Sequence, residues 1–377
     1  MWKMKVYLDN GATTQVDEKV VKKMFPYFSE KYENASSLHS GGQEVKLELD
    51  NARRVIKKSL NADKIIFTSG GSESDNLAIK GVAYNKGKGH IITSKIEHHA
   101  VEESCKELEK DNFEVTYLDV DKEGIINPED VKNSIKEDTI LVSIMGANNE
   151  IGTIQPIEEI GKICKEKNII FHTDAVQGFT KMKIDMKKMN INLASISGHK
   201  IHAQKGIGAL AIYGDFKIKK QIDGGPQEFD LRAGTENIPG IIGLAEAVKQ
   251  AKIGKMEKLR DKLINGIEEK IKNVKLNGSR KKRLCNNVNF CFKGIEGEAI
   301  GAHLDAKGIA SSSGSACSSK SLKPSHVLKA IGLSDADANG CVRLTLSRYT
   351  TEKEINYVLD VLPGIIKFLR RLSPYGL

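Results

Sequence analysis

The hydrophobic patterning of this chain predicts an α/β fold: a mainly parallel, doubly wound sheet in a large domain, followed by a smaller α+β domain. Two observations carry that expectation. Short β-rich apolar runs alternate with helix-length amphipathic stretches through the first two-thirds of the 377 residues. After about residue 240 the alternation gives way to helical sequence rich in lysine and glutamate. Parallel neighbours need a long crossover, and the intervening helical stretches supply it.

Lys64–Thr68 is the first strong strand candidate, and it leads into GGSESDNLAIKG, where Ser, Glu and Asp open a helix. His90–Thr93, Val115–Leu118 and Thr139–Met145 read as further strands. A helix over Ile157–Lys167 precedes the strand sequence Asn168–Asp174, and Leu193–Ile196 and Gly208–Ile212 complete the set. Ile241–Val274 reads as helices leading into the second unit. There Asn287–Phe292 and Val342–Leu346 are strands, Ser311–Ser319 is a glycine/serine loop, and a closing helix starts at Thr351. On this division residues 13–255 form the large domain, and residues 1–12 with 256–377 form the small one.

Composition narrows the function classes. With 40% hydrophobic and 28% charged residues the chain can bury a substantial core, which excludes global disorder. The net charge of +9 comes from interleaved charges, as on solvated helix faces. One compact run, Arg280-Lys281-Lys282-Arg283, reads either as a solvated loop or as a docking patch for an acidic protein. No aromatic platform or recognition motif accompanies it, so nucleic acid is not an expected partner. Residues 1–10 lack the apolar core of a signal peptide, and no run approaches the roughly 20 apolar residues of a membrane span. A cytoplasmic protein is expected. The cysteines, at 105, 164, 285, 291, 317 and 341, include no C-x-x-C pair, so neither a structural zinc site nor disulfide stapling is expected. Cys164, Cys291 and Cys341 fall in or beside regular elements and read as packing residues, whereas Cys105 and Cys285 have no recognisable partners.

Three features carry chemistry. Thr68-Ser69-Gly70-Gly71-Ser72-Glu73 lies between a strand and a helix, where small residues and free N–H groups can hold a phosphate. A well-capped glycine–serine turn explains the same residues, and no G-K-[ST] follows to make a Walker loop. Asp174 ends an apolar strand, so its carboxylate either faces the crevice of a parallel sheet or caps the next helix. In the crevice it could keep a ring nitrogen protonated. Lys200 closes the strand-like segment Ala194–Lys200. A lysine that condenses with an aldehyde must be partly desolvated so that its amine can be neutral. Any single lysine of this basic chain is otherwise a surface residue, so the weight lies on cup, aspartate and lysine occurring in order along one sheet.

With these features in view, the sequence resembles the cysteine desulfurases, a family of fold-type I, class V aminotransferase-like pyridoxal-phosphate enzymes, and in particular the branch that supplies sulfur for iron–sulfur cluster assembly. The matching motifs are YLDNGATT at 7–14, FTSGGSESDNLAIKG at 67–81, EHHA at 97–100, NNEIGTIQP at 148–156, HTDAVQ at 172–177, SISGHK at 195–200, RAGTEN at 232–237, SSSGSACSS at 311–319 and VRLTLSRYTTEKEI at 342–355. The resemblance implies that Lys200 carries the cofactor, pyridoxal 5'-phosphate, and moves the substrate Cα proton. It implies that His98 stacks on the ring, Asp174 pairs with the ring nitrogen and Gln177 bonds the ring oxygen. Gly71, Ser72, Ser197 and His199 would hold the phosphate, with Thr235 reaching over from a second subunit of a homodimer. Asn149 would contact cofactor or substrate, and Arg343 would bind the carboxylate of L-cysteine; the spacing leaves Arg348 as its alternative. Ala203 and Gln204 stand where the family has Gly-Pro, and Asp230 stands where Gly is common, which changes local backbone preferences.

Cys317 separates sulfur transfer from transamination. It sits among small residues with little to bury, which predicts a mobile loop over 311–321. The implied reaction leaves a persulfide on Cys317, passed to an iron–sulfur scaffold or another acceptor protein, with Cys317 a transient cluster ligand and no resident metal. Other enzymes of this fold, a selenocysteine lyase or a small-amino-acid aminotransferase, are the alternatives within the class. A non-catalytic scaffold is the alternative outside it.

Overall fold

The computed structural model describes residues 4–313 and 324–373. Its first strand, β1 (Val6–Tyr7), lies far in sequence from its parallel partner in the small unit. Seven strands then build the large sheet: β2 (Lys64–Thr68), β3 (His90–Ser94), β4 (Glu114–Leu118), β5 (Thr139–Ser143), β6 (Ile170–Asp174), β7 (Leu193–Ser197) and β8 (Gly208–Ile212), in the order 2-8-7-6-5-3-4. Only β8 runs antiparallel to its neighbours. β3, β7 and β8 are buried at every position, which explains why they read as continuous apolar runs rather than alternating ones.

Helices cover both faces. Val20, Ile56, Ile160 and Ile241, from helices Glu18–Met24, Ser40–Leu60, Ile157–Glu166 and Ile238–Gln250, fill one side. Leu77 and Val101, from helices Gly71–Lys86 and His99–Lys110, fill the other. A second sheet takes β9 (Val274–Leu276), β10 (Asn287–Phe292), β12 (Ser312–Ser313) and β13 (Cys341–Thr345) in the order 12-13-10-9, while β11 (Ile309–Ala310) pairs with β1. Its core, including Leu263, Phe290, Leu304 and Leu362, is separate from that of the large sheet and also takes in Val6 and Leu8. A smaller cluster joins Ile96, Met145 and Ile151, just beyond the large sheet, to Val327, Leu328 and Ile331.

Of three informative places, two follow sequence expectation and one, the end of β5, departs from it. The single amphipathic stretch 241–274 breaks into helices Ile238–Gln250 and Met256–Lys270, with Gly254 at φ +56 between them. β5 ends at Ser143, beyond which the Ile144 and Gly146 N–H groups still donate to His172 and Asp174 of β6 while the Met145 N–H turns to the Glu97 carboxylate at 3.1 Å. The closing helix does begin at Thr351, whose hydroxyl and Glu354 form a reciprocal capping box.

Two residue readings are corrected. Cys291 and Cys341 are buried in an apolar cluster as expected of packing residues, but no disulfide was expected, and they face each other on β10 and β13 and form one with a Cα–Cα distance of 4.0 Å. Sequence periodicity gives no information on which strands become neighbours, so this pairing was invisible. In the basic run, Arg283 is buried and donates to the carbonyls of Ser279 at 2.8 Å and Ile151 at 2.9 Å. It holds loops together, and Arg280 pairs with Glu268, so the run is no uniform charged patch. Among the described residues no helix is long and apolar enough to cross a membrane.

Candidate active site

The carboxyl ends of β2, β6 and β7 converge on the start of helix Gly71–Lys86. Gly70 is extended and the helix begins at Gly71. The fit is close enough to require glycine: a Cβ on Gly71 would lie 2.8 Å from Val176 Cγ2 and 3.7 Å from Ser197 Cβ, and one on Gly208 would lie 2.7 Å from Gly70 Cα. Gly71, the exposed Ser72 and the buried Ser197 therefore border one hollow at a helix N-terminus, the geometry of an anion cup.

Lys200 ends the short 3-10 turn that follows β7. Its Nζ donates to the carbonyls of Gly11 at 2.6 Å and Ala12 at 2.8 Å. Gln177 Nε2 donates to the same Gly11 carbonyl at 3.0 Å, and His199 Nδ1 lies 3.2 Å from Thr13 Oγ1. Residues 11–13 thus collect three of the expected site side chains. The other face of this segment belongs to the small sheet: the Gly11 N–H donates to Thr345 Oγ1 at 2.6 Å, and Asn10 Nδ2 donates to the Thr345 carbonyl at 2.8 Å.

Asp174 is buried at the end of β6. One oxygen accepts the Val176 N–H at 2.8 Å, and the other has no hydrogen bond among the described residues. Burial pushes its carboxyl up to about 6, against the opposing pull of the Val176 N–H and the Lys200 charge. His98 caps helix His99–Lys110, its Nδ1 accepting the Ala100 N–H at 3.1 Å. Burial and then the Lys200 charge push its imidazole down to about 4, so the ring is neutral with its proton on Nε2.

Arg343 lies in β13, where Nη1 donates to the Asn149 carbonyl at 3.0 Å and Nη2 meets Asp9 Oδ1 at 3.1 Å. Its buried Nε has no partner among the described residues, and its guanidinium carbon is 3.3 Å from where a Cβ on Gly11 would sit. Arg348 is instead occupied with Asp17, the Gln250 carbonyl at 2.8 Å and Tyr349. The two arginines are therefore unequal: Arg343 adjoins Asn149 and Gly11, and Arg348 is consumed in a structural pair.

Thr235 stands exposed on the loop before helix Ile238–Gln250. That loop is nonetheless held at the cup, because Arg232 Nε donates to Glu73 in the first turn of the cup helix at 2.9 Å. Cys317 and most of the loop expected around it lie outside the described residues. Its described flanks border the site. Ser312 pairs with Arg343, Ser325 Oγ donates to Glu150 at 2.5 Å, and His326 Nε2 meets the Glu97 carbonyl at 2.9 Å.

Sequence reasoning missed two buried acids. Glu97 accepts from Ser94 Oγ at 2.7 Å and from the Met145 N–H, and burial pushes its carboxyl up to about 8. Asp75 is pushed well above the carboxylate range by burial and then by the charge of Asp174. The position of Glu97 next to His98 was the one available signal. The departures from the family pattern resolve differently. Ala203 is fully buried without needing a positive φ, while Glu228, Phe229 and Asp230 stand at φ +47, +59 and +60.

Known proteins resemble this chain over nearly its whole length. The class-V aminotransferase family model matches residues 6–358. Cysteine desulfurase IscS of Clostridium botulinum (strain Hall) is 54% identical over 381 residues, covering 98% of this chain and 96% of that protein. Cysteine desulfurase IscS of Methanosarcina thermophila is 52% identical over 379 residues, covering 98% and 94%. Among solved structures, a NifS-like protein superposes with a TM-score of 0.90 at 39% identity, covering 97% of this chain and all of that one. SspA in complex with cysteine superposes with a TM-score of 0.84 at 38% identity, covering 92% of this chain and all of that one.

Proposed function

Because this chain belongs to the cysteine desulfurase family of class-V aminotransferases, we propose that it binds pyridoxal 5'-phosphate at Lys200 and takes the sulfur from L-cysteine, releasing L-alanine and leaving a persulfide on Cys317. The observation that carries this reading is Asp174, a buried carboxylate with one unbonded oxygen, within reach of the Lys200 charge and beside a glycine cup. Such a carboxylate fits a protonated ring nitrogen better than an apolar or anionic ligand. When bound, pyridoxal phosphate supplies an electron sink that acidifies the Cα proton of an amino acid attached to it.

The chain's own groups do the rest. Gly71, Ser72, Ser197 and His199 hold the phosphate, with Thr235 donated by a second subunit of a homodimer. The neutral His98 ring and the Gln177 amide would hold the ring of the cofactor. Arg343, with Asn149 beside it, binds the substrate carboxylate through its unsatisfied Nε side. Lys200 Nζ, oriented by the Gly11 and Ala12 carbonyls, would carry the Cα proton. Cys317 attacks as the thiolate. An S–S bond forms to the substrate sulfur as the Cβ–S bond breaks, and the electron pair stays with the carbon fragment that leaves as alanine. The persulfide sulfur then passes to an iron–sulfur scaffold or another acceptor protein in the cytoplasm, with Cys317 able to serve as a transient cluster ligand. The division into residues 13–255 and residues 1–12 with 256–377 is supported by their separate cores.

The test is direct. Borohydride should fix one cofactor per chain on Lys200, read by peptide mass, and L-cysteine with a thiol reductant should give sulfide and alanine in equal amounts. Cys317→Ser should keep the cofactor colour and lose sulfide release, whereas a full rate in that variant would remove Cys317 from the reaction. A colourless protein with nothing reduced on Lys200 would overturn the cofactor assignment.

A further inference from the structure

Next in the chain to His98 begins a group of side chains with metal-ligand chemistry that the desulfurase reaction does not use. His99 and Glu102 lie on the first turn of helix His99–Lys110, and their i, i+3 spacing places them on one face. His326 opens helix His326–Ala330, the first described helix after the Cys317 segment. His99 Nδ1 is 3.0 Å from Glu102 Oε2, and the two histidine rings are 4.9 Å apart. One ligand atom from each of the three residues lies within 4.8 Å of the other two. An ion seated among them would replace the His99–Glu102 contact with little rearrangement.

The surrounding bonds suit the purpose. His326 Nε2 is held by the Glu97 carbonyl at 2.9 Å, an arrangement that puts the ring proton on Nε2 and the lone pair on Nδ1. A ligating histidine is ordinarily fixed in this way by a backbone carbonyl on its far nitrogen. Glu102 keeps one oxygen on Lys106 at 2.7 Å, which steadies the carboxylate while the other oxygen faces His99. Glu102 and His326 also line a surface crevice of about 710 Å³, which gives an ion a way in. Two helix N-termini and the Lys106 ammonium oppose a cation here. The Glu102 carboxylate stands against them, and two imidazoles with a carboxylate form a donor set that zinc and its neighbours in the first transition row accept. The absence of C-x-x-C pairs spoke against a structural zinc site. This group contains no cysteine and draws its members from segments far apart in the sequence.

We propose that His99, Glu102 and His326 form a binding site for a divalent transition-metal ion of the zinc class, with a water in the fourth position, which ties the helix capped by His98 to the chain following the Cys317 segment. The site is independent of the proposed reaction. The test uses full-length, cofactor-loaded Cys317→Ser protein, so that this thiol cannot compete as a ligand. Titration with Co²⁺, followed in the visible region, and with Zn²⁺, followed by calorimetry, should show one ion per chain. The cobalt spectrum should lack thiolate charge-transfer bands. Zn²⁺ should also raise the melting temperature. Adding His326→Ala, His99→Ala or Glu102→Gln should each weaken binding at least tenfold and abolish the melting shift, with the circular dichroism unchanged. Absence of saturable binding, thiolate bands in the cobalt spectrum, or equal affinity in the folded variants would overturn the site.

Discussion

The carboxyl of Asp174 is held where ionisation costs free energy unless a cation faces it. Burial raises it from 3.8 to about 6. A raised acid stabilises the fold below its unfolded value and loses that contribution as the pH climbs through its folded value. The cofactor-free protein should therefore lose about 3 kcal/mol between pH 4 and pH 7 through this one group. Asn keeps the bond to the Val176 N–H and cannot ionise. Asp174→Asn without cofactor should be more stable than the parent at pH 7.5 by up to ~3 kcal/mol, with the gap narrowing toward pH 4.5, and should bind the cofactor more weakly. Urea unfolding at the two pH values checks this, and a gap independent of pH would refute the assignment. The arginines make a second contrast. Arg343→Ala should raise the KM for L-cysteine roughly 10- to 100-fold, the worth of charge-assisted hydrogen bonds to a carboxylate. Arg348→Ala should leave KM unchanged and cost about 2–3 kcal/mol of stability in thermal melts, because it strands the mostly buried Asp17. The places of Asp174, at the end of an apolar strand, and of Lys200, in the turn just after one, could be read from the sequence. Those of Glu97 and Asp75 could not, since an acid buried by distant elements looks locally like a surface acid. The choice between Arg343 and Arg348 depended on contacts to residues 9, 11, 17 and 149, which no local spacing encodes.

At the scale of elements, the turn at Glu228–Asp230 shows a strained connection held in place by its surroundings. Three successive non-glycine residues stand in the left-handed region. Glu228 holds the turn by pairing with Arg53 at 2.6 and 2.8 Å and by accepting the Phe67 N–H at 2.8 Å, while Arg53 lies over the Phe67 and Phe229 rings. Two substitutions should act in opposite directions. Asp230→Gly should stabilise by about 0.5–1 kcal/mol, because glycine relieves the positive φ and the exposed pair with Lys220 contributes little. Arg53→Ala should destabilise by about 3–5 kcal/mol by leaving Glu228 buried and unpaired. Thermal unfolding of the two variants against the parent decides both. The sequence marked Asp230 as a departure from glycine and so located the strain, but the clamp joins residues 53, 67 and 228 and could not be read from it. The same reason separates legible from illegible elements more widely. Strands of five residues buried on both faces announce themselves as apolar runs. The two-residue strands β1, β11 and β12 exist only because their partners do, and the Cys291–Cys341 contact depends on a register between strands 50 residues apart.

For the whole molecule, the site lies where segments from distant parts of the chain meet. Residues 10–13 touch β13 on one side and Lys200, Gln177 and His199 on the other. Thr235 extends this logic beyond one chain. It is exposed, while its loop is gripped at the cup helix by the Arg232–Glu73 pair, so it stands open to a second chain near the cup. A homodimer in which each loop completes the partner's cup predicts a solution mass of twice 41.5 kDa. It also predicts complementation between two crippled chains. Lys200→Ala lacks the lysine, and Thr235→Ala should bind the cofactor roughly 10-fold more weakly for loss of one phosphate hydrogen bond. If Thr235 acts across the interface, a mixed dimer has one site lacking both groups and one site intact. Unfolding and refolding the two variants together at equal amounts should then make about a quarter of all sites fully competent at limiting cofactor. If Thr235 served its own chain, every mixed site would lack one group or the other, and co-refolding would give no gain over the variants refolded apart. Sulfide release at limiting pyridoxal phosphate measures the difference, and absence of any gain from a preparation that light scattering shows to be dimeric would place Thr235 outside the partner's site.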